Sequence, residues 1–382
     1  MSLSSSTFDV LVIGGGIAGV SAAYEIALRG RHVGLLEQES SLAYHTTGRS
    51  AATFLETIGG PTVQRLTVAS RAFFESPPDW FTRPLLTPLQ NLLLGPKGTG
   101  TEIEALAREV GELVPTVRLL DPKEACAIHP QLREDWLEVC MLEPDGMEID
   151  VGALHQGYVA GLRANGGEVM LSARVDGLES AGAMWTAATP AGRFNAPVVV
   201  NAAGAWGDRV GALAGASAVG LSPLRRTVFM LGAPEGVKTA GLPITGDVGG
   251  TFYFKPEGPQ FLCSPADENP SEPCDAQPEE IDIAKALDRI AEATHLDTQH
   301  VRAKWAGLRT FAPDRCPVVS GERELPGYFW VVGQGGFGIQ TAPAMGRVAA
   351  ALALGEALPT VLDDLGLTAS DLERGRLERV VS

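Results

Sequence analysis

The chain predicts an α/β fold whose parallel sheet cradles a nucleotide, and three stretches carry that prediction. In residues 10–19 (VLVIGGGIAG), 198–206 (VVVNAAGAW) and 331–341 (VVGQGGFGIQT) an apolar strand runs into small residues and then into a helix pattern. The first stretch has the spacing G-x-G-x-x-G. Gly14 permits a tight turn, Gly16 lets backbone approach a pyrophosphate, and Gly19 lets helix pack closely on strand. The N–H groups at the helix start lack partners within the helix and carry a partial positive charge, which suits phosphate. A second apolar run, 32–36, ends at Glu37, a carboxylate placed to accept from a ribose 2′-OH and to repel a 2′-phosphate. A glycine-rich turn that binds nothing is the bland alternative. The strand, helix and acid around the motif favour a dinucleotide, though the motif alone does not separate FAD from NAD.

Residues 8–37 thus read as strand–helix–strand, preceded by seven residues that are either a native tail or a leader. Residues 44–52 (YHTTGRSAA) form a small-residue loop entering a helix, read equally as a capped turn or as a nucleotide contact. Helical spacing covers 61–75 and stops before Ser76-Pro77-Pro78. Segments 85–94 and 117–119 read as strands, 123–127 as a helix, 141–144 as a strand and 151–165 as an amphipathic helix. Short strands follow at 168–178, 185–189 and 194–201. Residues 223–263 are strand-rich, and 268–277 is an exposed polar loop interrupted by Pro270 and Pro273. A helix over 281–294, a strand over 329–332, a glycine loop over 333–338 and a long helix over 341–355 complete the chain. No internal repeat or low-complexity tract is present.

Bulk properties set bounds. At 382 residues the chain is long for one core and suits two domains, interleaving allowed. Its 46 acids against 30 Lys and Arg give a formal charge of −16, which argues against nucleic-acid binding because no basic cluster exists to displace phosphate counterions. No apolar run approaches the roughly 20 residues of a membrane span. Five cysteines (126, 140, 263, 274 and 316) and six histidines are scattered without ligand spacing, so a metal site is not expected. Reduced thiols in the cytoplasm are the default.

The second and third glycine-rich transitions favour FAD. Small residues after the strand ending at Asn201 permit close approach of an extended cofactor. The helix opening near Gly338 turns a second positive N-terminus toward the same cleft, placed to stabilise negative charge at N1 and the C2 oxygen of a flavin. A tight crossover explains either one alone. Three around one nucleotide motif suit a long dinucleotide better than NAD.

With these motifs in place, the chain resembles the D-amino-acid oxidase/glycine oxidase/sarcosine oxidase superfamily of flavoproteins, and within it is most similar to the bacterial D-arginine dehydrogenases. The likeness runs through VIGGGIAG, YHTTGRSAA, RAFFESPPDWF, residues 150–158, VVNAAGAW, PLRRTVF, FYFKP, WAGLRTFAPD and GQGGFGIQT. It implies a Rossmann-like FAD-binding domain from 1–84, 145–220 and 305–382, and a substrate domain on a mostly antiparallel sheet from 85–144 and 221–304. Carried over position by position, it implies FAD contacts at Gly14, Gly16, Ile17, Ala18, Glu37 and Gln38. Thr46, Thr47, Ser50, Ala51 and Ala52 follow, then Val175, Ala203, Gly204 and Trp206. The set closes with Gly307, Gly335, Gly338, Ile339, Gln340 and Thr341.

The resemblance implies oxidation of a carbon–nitrogen bond: the amine-bearing carbon gives a hydride to flavin N5, and the imino acid hydrolyses to a keto acid and ammonia. No side-chain base is obligatory if the neutral amine reacts. Arg226, Tyr253 and Arg309 match the family's carboxylate-binding positions, with Gly336 beside them; Arg225 competes with Arg226. Taken without the family, each arginine is more ordinarily a surface residue or a structural ion pair. The departures bear on substrate. Asn91 stands where relatives receive a guanidinium on an acid, Thr53 and Ile58 replace a histidine and a tyrosine, and Phe337 replaces a tyrosine. These changes point from D-arginine toward neutral or apolar D-amino acids, with Glu56 still able to receive a cation. The lysine that activates oxygen in sarcosine-type oxidases matches Cys263 loosely, and the cysteine of covalent relatives matches Gly307. A dehydrogenase with non-covalent FAD and a quinone or other acceptor is therefore expected, with peripheral membrane contact left open. A peroxide-forming glycine or N-methyl amino acid oxidase, an NAD enzyme and a flavin-containing binding protein are the rivals.

Overall fold

A computed structural model describes residues 5–379. The first four residues of the expected tail or leader, and the last three of the expected FAD-binding segment, lie outside the described residues. Six strands form one sheet in the order Glu168–Met170, Val33–Leu36, Val10–Ile13, Val198–Asn201, Tyr328–Val332 and Val318–Gly321. The first five are mutually parallel, and the last is antiparallel. These strands read as near-continuous apolar runs because the sheet is covered on both faces. On one face pack the helices Ile17–Leu28 and Gly338–Leu354, backed by Gly60–Glu75 and Val151–Ala164. The other face meets a four-stranded sheet through a core that includes Trp185, Tyr328 and Trp330.

The second large sheet runs Gln334–Gly335, Val301–Phe311, Ser222–Gly232, Gln260–Ser264, Tyr253–Glu257, Ile244–Asp247, Asn91–Pro96, Leu137–Glu143 and Arg118–Leu120. Every neighbouring pair is antiparallel except Ile244–Asp247 with Asn91–Pro96. Alternation gives its strands two faces. Phe229, Phe254, Phe261 and Cys263 share one core with Ile283, Ala286 and Ile290 of the helix Glu280–Ala293, whereas Val228, Met230, Leu262 and Tyr253 cluster on the other face. A small antiparallel sheet of Thr53–Phe54, Met147–Ile149 and Leu86–Pro88 lies at the junction.

Several expected strands divide because the chain changes sheet. The run 194–201 breaks at Pro197, which has no N–H to give a ladder, into Gly192–Ala196 and Val198–Asn201. The runs 168–178 and 85–94 divide likewise, into Glu168–Met170 with Gly177–Ala181 and into Leu86–Pro88 with Asn91–Pro96. The strand Val301–Phe311 lies in the large sheet from end to end, across residue 305, so Gly307 and Arg309 belong to that sheet. The helix Gly100–Gly111 has no counterpart among the expected elements. It buries only Gly100, Ile103 and Val110, a stripe too thin to stand out in sequence. The loop over 268–277 is not simply exposed: Asn269–Pro270 pairs with Leu224 and Arg225, and its acids reach arginines of the body.

His129 is fully buried beside Phe254, with ring centroids 5.4 Å apart, and neither ring nitrogen has a hydrogen-bond partner among the described residues. Burial lowers its pKa from 6.5 to about 4. The unfolded chain therefore takes up this proton first, and stability is lost as pH falls from 6.5 toward 4. At about 1.4 kcal/mol per unit, about 2 kcal/mol is gone by pH 5. Thermal melts of wild type and His129→Leu between pH 7 and 5 should show a shallower decline in the variant.

Candidate cofactor and substrate site

The ends of the parallel strands and the exposed-core face of the large sheet enclose one long cavity of about 580 Å³. Its shape starts at the first glycine turn. Gly14 has φ +111°, and a Cβ there would stand 2.4 Å from the Ala202 carbonyl oxygen; at Gly19 it would stand 1.8 Å from that of Gly14. These two glycines are packing requirements. Gly16 is different: a Cβ would meet only Thr47 Oγ1, at 3.3 Å, so its bareness serves the cavity. The helix Ile17–Leu28 has no side-chain cap, and Ile17 N–H alone finds an oxygen nearby, Thr47 Oγ1 at 3.0 Å. Glu37 accepts from Gly15 N–H (2.7 Å) and Glu39 N–H (2.9 Å), bracing the glycine turn while lining the cavity. Burial pushes its carboxyl above the usual range, opposed by those two hydrogen bonds.

The second transition brings Ala203, Gly204 and Trp206 to the wall through a short 3-10 turn, Gly204–Trp206, ahead of the helix Gly207–Leu213. Asn201 secures it, donating to Gly207 O and to Tyr328 Oη, each at 2.8 Å. In the third, Gly335 and Gly336 carry the chain past Phe311 and Arg309 into Gly338–Leu354, whose N-terminus also has no side-chain cap. The segment holding Thr46 and Arg49 is tied to the Arg309 strand: Thr46 Oγ1 donates to Leu308 O (2.7 Å) and Arg49 to Ala306 O (2.9 Å).

At this end stand Arg226, Tyr253, Arg309 and Gly336. The Arg309 guanidinium has no hydrogen bond or ion pair among the described residues. Burial, then the neighbouring Arg226 charge, lowers its pKa to about 10. Tyr253 Oη, Thr310 Oγ1 and Gln334 Nε2 are likewise buried without partners, and all three residues line the cavity. Buried polar atoms are rarely left so, and together they form a cradle for a polar, anionic occupant. Arg226 is oriented by Asp267 O (2.8 Å) and Glu268 Oε1 (3.3 Å). Arg225, one residue earlier and on the opposite face, pairs with Glu279 (2.5 Å) and Asp282 (3.5 Å) and does not line the cavity.

Of the expected FAD contacts, Gly14, Gly16, Ile17, Ala18, Glu37, Gln38, Thr46, Thr47, Ser50, Ala51, Val175, Ala203, Gly204, Trp206, Gly307, Gly335, Gly338 and Ile339 line the cavity. Ala52, Gln340 and Thr341 do not. Gln340 spends its amide on Leu55 O (3.1 Å) and Thr67 Oγ1 (2.8 Å), and Thr341 Oγ1 donates to Phe337 O. Thr53, Ile58, Asn91 and Phe337 also stand off the wall: Ile58 packs on the cluster of Leu55, Leu89 and Ile244, and Asn91 donates to Glu143 Oε2 at 3.3 Å. Cys263 faces away into the other core, so Leu262 is the residue of that strand on the cavity's side. Wall residues not expected from sequence include His45, Arg49, Arg174, Arg209, Thr310 and Gln334. His45 and Arg49 lie inside the YHTTGRSAA motif, which was the available signal; Arg174 and Arg209 had none.

Two uncapped helix N-termini, a bare Gly16 and orphaned polar atoms at one end of a long cavity define a dinucleotide-dependent oxidoreductase. The family model for FAD dependent oxidoreductases, DAO, matches residues 9–352, and the chain belongs to that family, with FAD as its cofactor. FAD-dependent oxidoreductase domain-containing protein 1 of Bos taurus is 30% identical over 177 residues, 41% of this chain and 35% of the relative. Mitochondrial dimethylglycine dehydrogenase of Homo sapiens is 24% identical over 89% of this chain and 42% of the relative, so the chain spans less than half the length of either. Among solved structures, glycine oxidase from Geobacillus kaustophilus superposes with a TM-score of 0.83 at 21% identity, covering 95% of this chain and 99% of that one. L-proline dehydrogenase from P. horikoshii gives 0.84 at 20% identity, covering 99% of each. These likenesses are of fold. No helix among the described residues is long and apolar enough to cross a membrane.

Gly16→Val should fold with a melting temperature close to that of flavin-free wild type, because no backbone stands in its way. It should purify colourless, whereas wild type carries the flavin's visible absorption.

Proposed function

We propose that this chain is a dehydrogenase that oxidises a small neutral or apolar D-amino acid, holding FAD non-covalently and passing electrons to a quinone or similar acceptor. One observation carries the reading: Arg309 is a half-buried guanidinium on the cavity wall without a hydrogen bond or ion pair among the described residues, and the cavity is lined beside it by Arg226 and by Tyr253, whose hydroxyl is unpaired. A carboxylate seated there takes two parallel N–H bonds from one guanidinium and a third donor from the phenol. Gly336 makes room, since a Cβ would stand 2.7 Å from the Arg309 guanidinium. Bound FAD supplies a two-electron acceptor for the hydride of the amine-bearing carbon. The protein's part is to fix that carbon by its carboxylate and to exclude alternatives. Both guanidinium charges also favour the uncharged amine over the ammonium, so the substrate reaches its reactive form without a side-chain base.

The apolar preference rests on the cluster of Leu55, Leu89 and Ile244, against which Ile58 and the cavity-lining Tyr253 both pack. Glu56 is committed to Arg71 at 2.8 Å and is not on the wall, which removes it as a free receiver of a cationic side chain. No lysine lines the cavity, and the buried Lys255 is held by Glu148 and Glu257, which supports a dehydrogenase over an oxygen-activating oxidase. No cysteine lines the cavity either, consistent with non-covalent FAD. All five cysteines are free, which supports placing the protein in a reducing compartment such as the cytoplasm.

Mixed anaerobically with purified protein, neutral D-amino acids should bleach the flavin, L-enantiomers should not, and air should restore the colour slowly. Rapid peroxide formation with glycine or sarcosine overturns the dehydrogenase reading. Arg309→Ala should keep its flavin yet lose about 100- to 1000-fold in kcat/KM, the loss of two charge-assisted hydrogen bonds. A flavin-containing binding protein would show no such turnover to lose.

A further inference from the structure

Glu143 is 1% exposed, and its carboxylate accepts from three neutral donors: Glu56 N–H at 2.7 Å, Thr57 Oγ1 at 2.6 Å and Asn91 Nδ2 at 3.3 Å. The first two belong to the turn over 55–59. That turn is held by the cofactor-side helices as well. Gln64 donates to Thr57 O (3.1 Å), Arg71 bonds Glu56, and Gln340 bonds Leu55, the last from the helix whose N-terminus faces the cavity. Glu143 differs from these in origin, since it lies on Leu137–Glu143 of the large sheet, directly across from Asn91 in register.

The turn matters for what it presses on. Leu55 of the turn forms an apolar cluster with Leu89 and Ile244, against which both Ile58 and Tyr253 pack, and Gly59 sits so that a Cβ would come within 3.2 Å of the Phe337 ring. The Tyr253 hydroxyl is buried and unpartnered, and Tyr253 lines the cavity. We propose that Glu143 is a positioning residue for substrate: by pinning the 55–59 turn to the large sheet it steadies the cluster on which Tyr253 rests and keeps the phenol aimed at the carboxylate site. This rests on the amino acid reading of that site. An ordinary structural acid would be expected to find a cation; this one spends its capacity on a backbone N–H and a hydroxyl of the turn and on one cross-strand amide. A buried network satisfied in this way specifies one geometry.

The test uses the flavin-loaded full chain and a neutral D-amino acid that bleaches wild type. Glu143→Ala should raise KM about tenfold while the limiting rate of flavin reduction stays within about threefold, because binding of the carboxylate is loosened and hydride transfer is not, the loss of about one well-placed hydrogen bond. Glu143→Gln, which retains an acceptor for Glu56 N–H, should restore KM to within about threefold of wild type. Should Glu143→Ala fail to fold, Thr57→Val removes one of the same hydrogen bonds and should raise KM about threefold with flavin content unchanged. An unchanged KM in the folded variant, or a fall in limiting rate with KM fixed, overturns the inference. A wild-type flavin that no amino acid bleaches overturns the proposed function itself, a result distinct from either.

Discussion

The architecture hangs on one close contact. A Cβ at Gly19 would stand 1.8 Å from the Gly14 carbonyl, and one at Gly14 would stand 2.4 Å from that of Ala202. With both absent, the helix Ile17–Leu28 presses against the strand end it follows, and that strand end against the neighbouring Val198–Asn201. In the first turn of that helix Ile17 N–H finds the Thr47 hydroxyl, and the N-cap supplies no side-chain partner for the rest. A second helix, Gly338–Leu354, arrives beside it, also without a side-chain cap. Two positive helix ends at one cavity suit a cofactor that carries negative charge, as FAD does.

At the far end of the cavity the same logic recurs with side chains. Arg309 is half-buried, without a hydrogen bond or ion pair among the described residues, and near the Arg226 charge, an arrangement that weakens the charged form enough to lower its pKa to about 10. A structural arginine in this place would have been given a carboxylate, as Arg225 next door has in Glu279 and Asp282. The contrast between adjacent residues on one strand separates a stability role from a binding role: alternation sends one to the acid-lined face and the other to the cavity. Asp267 and Glu268 fix Arg226 from behind, leaving Arg309 as the uncompensated positive charge. Glu268 is moreover shared with Arg315, so this end of the cavity keeps a positive balance that suits an anionic occupant.

Much of this was legible in the sequence, and what was not has a common cause. Strand-to-glycine transitions announce themselves because the turn residues and apolar runs are contiguous, so the parallel sheet and part of the cavity wall followed from them, while the resemblance supplied further wall positions such as Thr46, Val175 and Gly307. The large sheet was foreseen only as strand-rich, because its order, from Gln334–Gly335 to Arg118–Leu120, depends on pairings across hundreds of residues. Local pattern could not show that Pro197 parts two sheets, nor that Gln340, within a glycine-rich motif, turns its amide back to Leu55. The loose match of Cys263 to a lysine position is of the same kind: on a strand a shift of one exchanges faces, and Leu262, not Cys263, shares the face of Val228 and Tyr253.

The substrate pocket shows most clearly why residue-by-residue comparison falls short. At Asn91 the chain lacks the acid that would receive a guanidinium, which read alone means that a negative charge has gone. In the structure a carboxylate stands directly opposite in register, at Glu143, and Asn91 donates to it. Negative charge is thus present within one side chain of the expected place. It is nevertheless unavailable, because its oxygens already accept from Glu56, Thr57 and Asn91, and burial holds its carboxyl above the usual range. An acid saturated by neutral donors shapes a pocket without offering it a counter-ion. Charge in the sequence and charge at the site are therefore different quantities, and the hydrogen-bond inventory around Glu143 and Glu56 is what converts one into the other. By that inventory the surroundings of Asn91 offer no free negative charge, even with two carboxylates nearby.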